Sequence, residues 1–167
     1  MKVLRRIFNY LSWCVIAIIF VYIAIAFPML LGNHPVVVLS GSMEPSYPVG
    51  SLTYYHSATF DEIQVGDVIT FKAVDSLVTH RVKEINDLSR TFITKGDNNE
   101  TQDIKPVEES DFVGKTSTFA IPYLGYAVSY GRNIVTIIGM GAILVISYLL
   151  DILDKKQRRK HVQQDIK

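Results

Sequence analysis

Between Leu39 and Gly50 the chain reads Leu39-Ser40-Gly41-Ser42-Met43-Glu44-Pro45-Ser46-Tyr47-Pro48-Val49-Gly50. Serines, prolines and glycines crowd this stretch, which predicts a tight, fixed turn. Gly41 admits backbone angles that other residues avoid. Pro45 and Pro48 fix φ and remove two backbone donors. A serine on such a turn can present its hydroxyl while neighbouring amides point at the same spot, the local geometry of an acyl-transfer nucleophile. A plain loop joining two strands has the same composition. A nucleophile needs a base, and Leu77-Val78-Thr79-His80-Arg81-Val82-Lys83-Glu84 offers one. Strand alternation puts Val78, His80 and Val82 on one face and Thr79, Arg81 and Lys83 on the other. A half-buried histidine suits general-base work, although a structural histidine among valines gives the same pattern. A third stretch, Thr94-Lys95-Gly96-Asp97-Asn98-Asn99-Glu100-Thr101-Gln102-Asp103, carries two aspartates and reads by itself as a solvated acidic loop. It is not a calcium loop, because Gln102 does not supply the glycine such loops need. Asn99-Glu100-Thr101 is a glycosylation sequon, a match common by chance.

These residues must be held by the segments around them. Val36–Leu39 reads as a short strand leading into the serine turn. Ser51–Tyr55, Asp67–Phe71, Leu77–Ile85, Thr91–Lys95 and Phe112–Ile121 are short runs rich in β-branched and aromatic residues, separated by polar turns such as Val65-Gly66 and Asn86–Arg90. That spacing predicts a small, mainly β domain. No segment in it shows a convincing period of 3.6.

The ends of the chain are different. Mean hydropathy is +0.22, and the apolar excess sits at the two termini. No Asp, Glu, Lys or Arg occurs between Arg6 and Glu44, and Leu11–Leu31 is long enough to span a bilayer as a helix. Ile134–Leu153 is a second candidate span, broken by Gly139, Gly141 and Asp151. The first run could be a cleaved leader, with Lys2, Arg5 and Arg6 ahead of it and Ala24-Ile25-Ala26 as the cut. The apolar stretch continues through Phe27–Leu31, which favours an uncleaved anchor. Cys14, the only cysteine, lies in this run, so no intrachain disulfide can form, and the sequence holds no CxxC or His/Cys metal spacing. The expected layout is a cytoplasmic N-terminus and anchor over residues 1–32, an extracytoplasmic β-rich domain over 33–131, a second span over 132–153 and a basic cytoplasmic tail over 154–167.

Ser40-Gly41-Ser42-Met43-Glu44-Pro45 closely resembles the S-x-S-M-x-P box of type I signal peptidases. In that family the serine before the methionine is the nucleophile, here Ser42, and the earlier serine, here Ser40, helps form the oxyanion hole. Thr79-His80-Arg81, Lys95-Gly96-Asp97-Asn98-Asn99 with Asp103, and Val65-Gly66-Asp67-Val68-Ile69 resemble further boxes, in the family's order. A histidine where the common bacterial branch has a lysine is similar to the endoplasmic-reticulum type, also found in archaea and some Gram-positive bacteria. The likeness covers about residues 36–125. It implies a serine endopeptidase in which His80 is the base, the Ser42 amide and Ser40 hydroxyl bind the oxyanion, Asp103 completes the triad and Asp97 shapes the loop. It implies preprotein signal peptides as substrates, with small residues at −1 and −3, and no metal or other cofactor. The implied partners are those signal peptides, the lipid bilayer and the translocation machinery, with no nucleic acid. Two other readings fit the same residues: a membrane-anchored β domain for binding or assembly, and a protease dedicated to itself or one partner.

Charge fixes an expected orientation. Residues 1–6 carry three basic residues and no acid, residues 151–167 carry six against three acids, and residues 33–131 carry seven against thirteen acids. The positive-inside rule then puts both termini in the cytoplasm and the middle outside. In right-side-out vesicles an added protease should digest residues 33–131 and spare a C-terminal tag. Digestion of the tag would leave one span and place the Lys155–Lys160 cluster outside.

Overall fold

A computed structural model describes residues 2–74 and 76–165, with side chains described for 3–74 and 76–156. The chain separates into two compact units, Ile25–Ser129 and Met1–Ala24 with Tyr130–Lys167. The first is the β domain. Its strands are β1 (Asn33–Val37), β2 (Leu52–His56), β3 (Val68–Ala73), β4 (Ser76–Asn86), β5 (Thr91–Lys95), β6 (Val107–Glu108) and β7 (Phe112–Thr116). They form one antiparallel sheet in the order β1-β2-β7-β3-β4-β5-β6. Turn chemistry sets the breaks. Gly66, at φ +99°, turns the chain into β3, and the Asn86 side chain caps the amides of Leu88 and Ser89 between β4 and β5.

The structure departs from the sequence reading at several points, the first being β1, which runs over Asn33–Val37 where Val36–Leu39 was expected. Ladder pairing in the last long strand stops at Thr116, after which the chain still runs beside β2 through Ser117 and a bridge between Leu52 and Ile121. Leu124–Gly131 forms a helix, α2, where no helical period was expected. Its signal is only Leu124 and Val128, one turn apart, which pack with Val37 against Ile25, Leu52 and Tyr54. The two-residue strand β6 is too short to carry an alternation.

The main core lies on the face of the sheet that carries Phe71, Val82 and Phe92, closed by Phe60, Ile63, Ile69 and Val107. Phe60 and Phe92 stack with ring centroids 4.4 Å apart, and Phe112 meets Phe92 edge-on at 5.3 Å. Thr70 sits in the middle of the sheet with its hydroxyl 3.0 Å from that of Thr79 and 2.8 Å from that of Thr116, so these polar groups satisfy one another.

The second unit is built on helices α1 (Lys2–Ala26) and α3 (Ile134–Asp165). Val3–Leu31 and Ile134–Lys156 are long and apolar enough to cross a membrane, and few residues of either stretch are buried in the isolated chain. Pro28 ends α1 and starts a 3₁₀ turn, Phe27–Leu31, that closes on Gly32 at φ +79°. Gly139 and Gly141 do not interrupt α3. Asp151 and Asp154 face Arg5 of α1, and the Ser147 hydroxyl donates to Asn9 at 3.0 Å. The charge expected to break the second span is thus paired across the two helices. In the basic tail, the side chains of Arg158, Arg159 and Lys160 lie outside the described residues.

Phe92→Ala should lower stability by about 3–5 kcal/mol, because the ring is fully buried between two others. Phe119→Ala, at a side chain 56% exposed, should be nearly neutral. Denaturant unfolding of both variants in one detergent measures the difference.

Candidate active site

The serine turn is closed at its neck by the backbone. The Val38 amide donates to Ser51 and the Gly50 amide to Val38, both at 2.9 Å. Gly50 holds φ +80°, and the Tyr126 ring lies where its Cβ would be. Within the turn Gly41–Met43 makes one 3₁₀ turn. Met43 and Tyr47 point inward and pack with Val68, and the Tyr47 hydroxyl donates to the Ser117 carbonyl at 2.6 Å. Ser42 is thereby held between anchored residues while its own side chain stays at the surface. The Ser40 and Ser42 hydroxyls lie 3.3 Å apart. The Ser42 amide, in the first turn of the 3₁₀ helix, has no acceptor within that helix.

Alternation along β4 turns His80 inward, where it is 8% exposed with its ring edge against Phe71. His80 Nε2 is 3.2 Å from Ser42 Oγ, and His80 Nδ1 is 2.6 Å from Asp103 Oδ2. The structure therefore brings Ser40, Ser42, His80 and Asp103 into one chain of polar contacts. Asp103 reaches the ring because the chain returns after β5, its amide donating to the Thr94 carbonyl at 2.8 Å. The Thr94 hydroxyl donates to the same Asp103 oxygen at 2.6 Å. Thr94 belongs to no resemblance drawn from the sequence. Its signal was a threonine at an inward position of β5.

Asp97 is placed elsewhere. The glycine before it and the asparagines after it favour a turn held by its own side-chain hydrogen bonds, but its carboxylate takes Arg81 Nε at 2.7 Å and Arg81 Nη2 at 2.6 Å. The Arg81 hydrogen bond holds the Asp97 carboxyl below the usual carboxylate range against the opposing effect of burial, with help from the Ser46 hydroxyl. Arg81 Nη1 donates to the Gly66 carbonyl at 2.8 Å, so the Val65–Ile69 box is tied to the same guanidinium. Burial pushes the Tyr47 hydroxyl up, with Arg81 opposing and Asp97 adding to the shift. The loop after β5 also touches the serine turn directly. The Asn98 amide donates to the Ser42 carbonyl at 2.8 Å, and a Cβ on Gly96 would lie 2.6 Å from that oxygen. Only glycine allows this approach.

A cleft of about 240 Å³ opens at the serines. Val36 and Val38 on one side and Leu77 and Val78 on the other make its walls apolar, with Met43 among the lining residues. β1 is the last strand of the sheet on that side, and β4 pairs with β5 only from Arg81 onward. Ser76–His80 therefore has one unpaired edge at the cleft.

Known proteins resemble this chain in the same region. The family model described as signal peptidase, peptidase S26, matches residues 7–107. The human signal peptidase complex catalytic subunit SEC11C is 37% identical over 102 residues, covering 54% of this chain and 53% of that protein. Signal peptidase I W of Bacillus subtilis (strain 168) is 39% identical over 99 residues, covering 57% of this chain and 52% of that protein. The human putative signal peptidase complex catalytic subunit SEC11B is 35% identical over 109 residues, covering 58% and 65%. The chain spans about half the length of the first two relatives.

The Arg81–Asp97 pair makes stability depend on pH in a defined sense. A carboxyl whose folded pKa is depressed adds stability that is complete above its unfolded value, about 3.9, and is lost as pH falls through the folded value. The wild-type thermal midpoint should therefore fall below about pH 4. Asp97→Asn should lower the midpoint at pH 7 and remove part of that acid decline. Midpoints of both proteins from pH 7 to pH 3 test this, and equal midpoints at pH 7 would rule out a stabilising clamp.

Proposed function

The chain belongs to the signal peptidase family, peptidase S26, and we propose that it is a membrane-bound serine endopeptidase that removes N-terminal signal peptides from exported preproteins. The observation that carries this reading is the placement of one imidazole between Ser42 and Asp103. In the proposed reaction neutral His80 takes the Ser42 proton at Nε2 as Oγ attacks the scissile carbonyl. The tetrahedral oxyanion is held by the Ser42 amide and the Ser40 hydroxyl, and one such donor is worth about 10²–10³ in rate. His80 then protonates the leaving amine, and a water activated by the same imidazole releases the acyl group. Asp103 fixes the tautomer that leaves Nε2 free and stabilises the imidazolium. This role is supported by the Nδ1 contact, while Asp97 acts through Arg81 on the shape of the loop.

The substrate is proposed to lie extended in the apolar cleft, its backbone pairing with the open edge of Ser76–His80. Walls of Val36, Val38, Leu77 and Val78 close to Ser42 suit small side chains at −1 and −3. The proposed layout keeps residues 1–32 as cytoplasmic start and anchor, 33–131 as the extracytoplasmic catalytic domain, 132–153 as a second span and 154–167 as a cytoplasmic tail. Partners would be the signal peptides, the lipid bilayer and the translocation machinery.

Detergent-solubilised protein incubated with a preprotein should generate a new N-terminus after a small residue, read by N-terminal sequencing. Ser42→Ala should abolish cleavage without changing the thermal midpoint. Processing by the alanine variant would instead leave Ser42 and His80 structural, as in a binding domain. Asp103→Asn should lower kcat by about 10³–10⁴ through the wrong imidazole tautomer. Activity should fall toward acid pH, since only neutral imidazole accepts the serine proton. His80→Lys should not restore it, because a lysine base must be desolvated in a site shaped for it.

A further inference from the structure

We propose that Thr94 is a positioning residue of this site, whose hydroxyl aims the Asp103 carboxylate at His80 and divides the carboxylate's charge with the imidazole. The inference rests on the endopeptidase reading above and assigns a role that neither the sequence boxes nor the mechanism used. Three observations carry it.

Thr94 is completely buried. On β5 the inward positions are Phe92 and Thr94. At Phe92 the core takes an aromatic ring, and an apolar residue at 94 would continue that pattern. A buried hydroxyl is costly unless it bonds, and the bond it makes is to Asp103 Oδ2 at 2.6 Å.

The acceptor is the very oxygen that meets His80 Nδ1, also at 2.6 Å. A carboxylate oxygen offers two lone pairs. One faces the hydroxyl and one the ring. The torsion that turns a carboxylate about its bond to Cβ is broad and soft, so a second, independently fixed donor is what sets the plane of Asp103. The branched Cβ of threonine is itself stiff at χ1, which aims the hydroxyl in advance.

Thr94 also holds Asp103 by the backbone, its carbonyl accepting the Asp103 amide at 2.8 Å. Two contacts thus close the loop from Lys95 to Gln102 on one residue. Asp103 returns to the sheet in register with the strand beside the one that carries His80.

Thr94→Val keeps the shape and removes the donor. It should lower kcat about tenfold with little change in KM. The acid limb of the rate profile should move up in pH, because a carboxylate that no longer shares its charge holds the imidazolium proton more firmly. Thr94→Ser keeps the donor and should retain the wild-type acid limb, with kcat within about threefold. Thr94→Ala, which lacks the donor but differs in packing, should show the same upward limb as Thr94→Val. A readout independent of turnover is the pH titration of the His80 ring by NMR in the Ser42→Ala background. Addition of Thr94→Val should raise that midpoint, and Thr94→Ser should leave it unchanged. Wild-type kcat and an unmoved His80 titration in Thr94→Val would overturn the proposal. So would equal losses in Thr94→Ser and Thr94→Val with the titration unmoved, which would make Thr94 a packing residue. Failure of the endopeptidase reading shows separately, as cleavage by Ser42→Ala alone, and the NMR titration still decides the role of Thr94.

Discussion

The guanidinium of Arg81 is bound on three of its nitrogens, two by Asp97 and one by the Gly66 carbonyl. It ties β4 both to the turn before β3 and to the loop after β5. Its neighbour in β4 is His80, and successive strand residues face opposite ways. On one side of the sheet β4 therefore offers an imidazole, and on the other a cation. The loop after β5 answers both. It leaves the ladder after Lys95, meets Arg81 through Asp97, touches the serine turn through Asn98, and returns through Asp103 to meet His80. The two aspartates are needed on opposite faces, and the five residues between them carry the chain around the end of the pairing. A one-residue slip of β4 against β5 would exchange the faces and undo both contacts.

The polar site is held mainly by groups that do not belong to it. Met43 and Tyr47 lock the serine turn into the core just beyond the half-buried Ser42. The Ser42 carbonyl is fixed by an amide and its close approach by a glycine. His80 is fixed by its strand and by the Phe71 edge. Such support matters because a nucleophile and base act efficiently only within a few tenths of an ångström of the productive geometry. The cost of ordering the turn is met by apolar burial beside it rather than by the polar contacts.

The strands were legible because their residue types and turn signals agree: β5 is Thr91–Lys95 in both readings. The face of His80 followed from alternation alone. The return of Asp103 was legible only as a possibility of chain length, and the resemblance to known boxes selected it. Asp97 was misread in its surroundings. Local rules see the glycine before it and the asparagines after it, whereas its partner Arg81 lies sixteen residues away across a strand pair. Thr94 was invisible for the same reason, since its meaning depends on which oxygen it meets. Helix α2 was missed because eight residues carry too few turns for a period to emerge. In the second apolar run, Asp151 looked like an interruption, because a sequence does not show that Arg5 stands opposite.

The half-paired stretch of β4 has a consequence for timing. From Ser76 to His80 its outer amides and carbonyls have no strand beside them, and the imidazole stands at the end of that row. A helix spends its own amides and carbonyls internally and can offer none to such an edge. Any chain that settles there must first have come undone into an extended form. An edge of this kind therefore selects an extended backbone before any side chain is met.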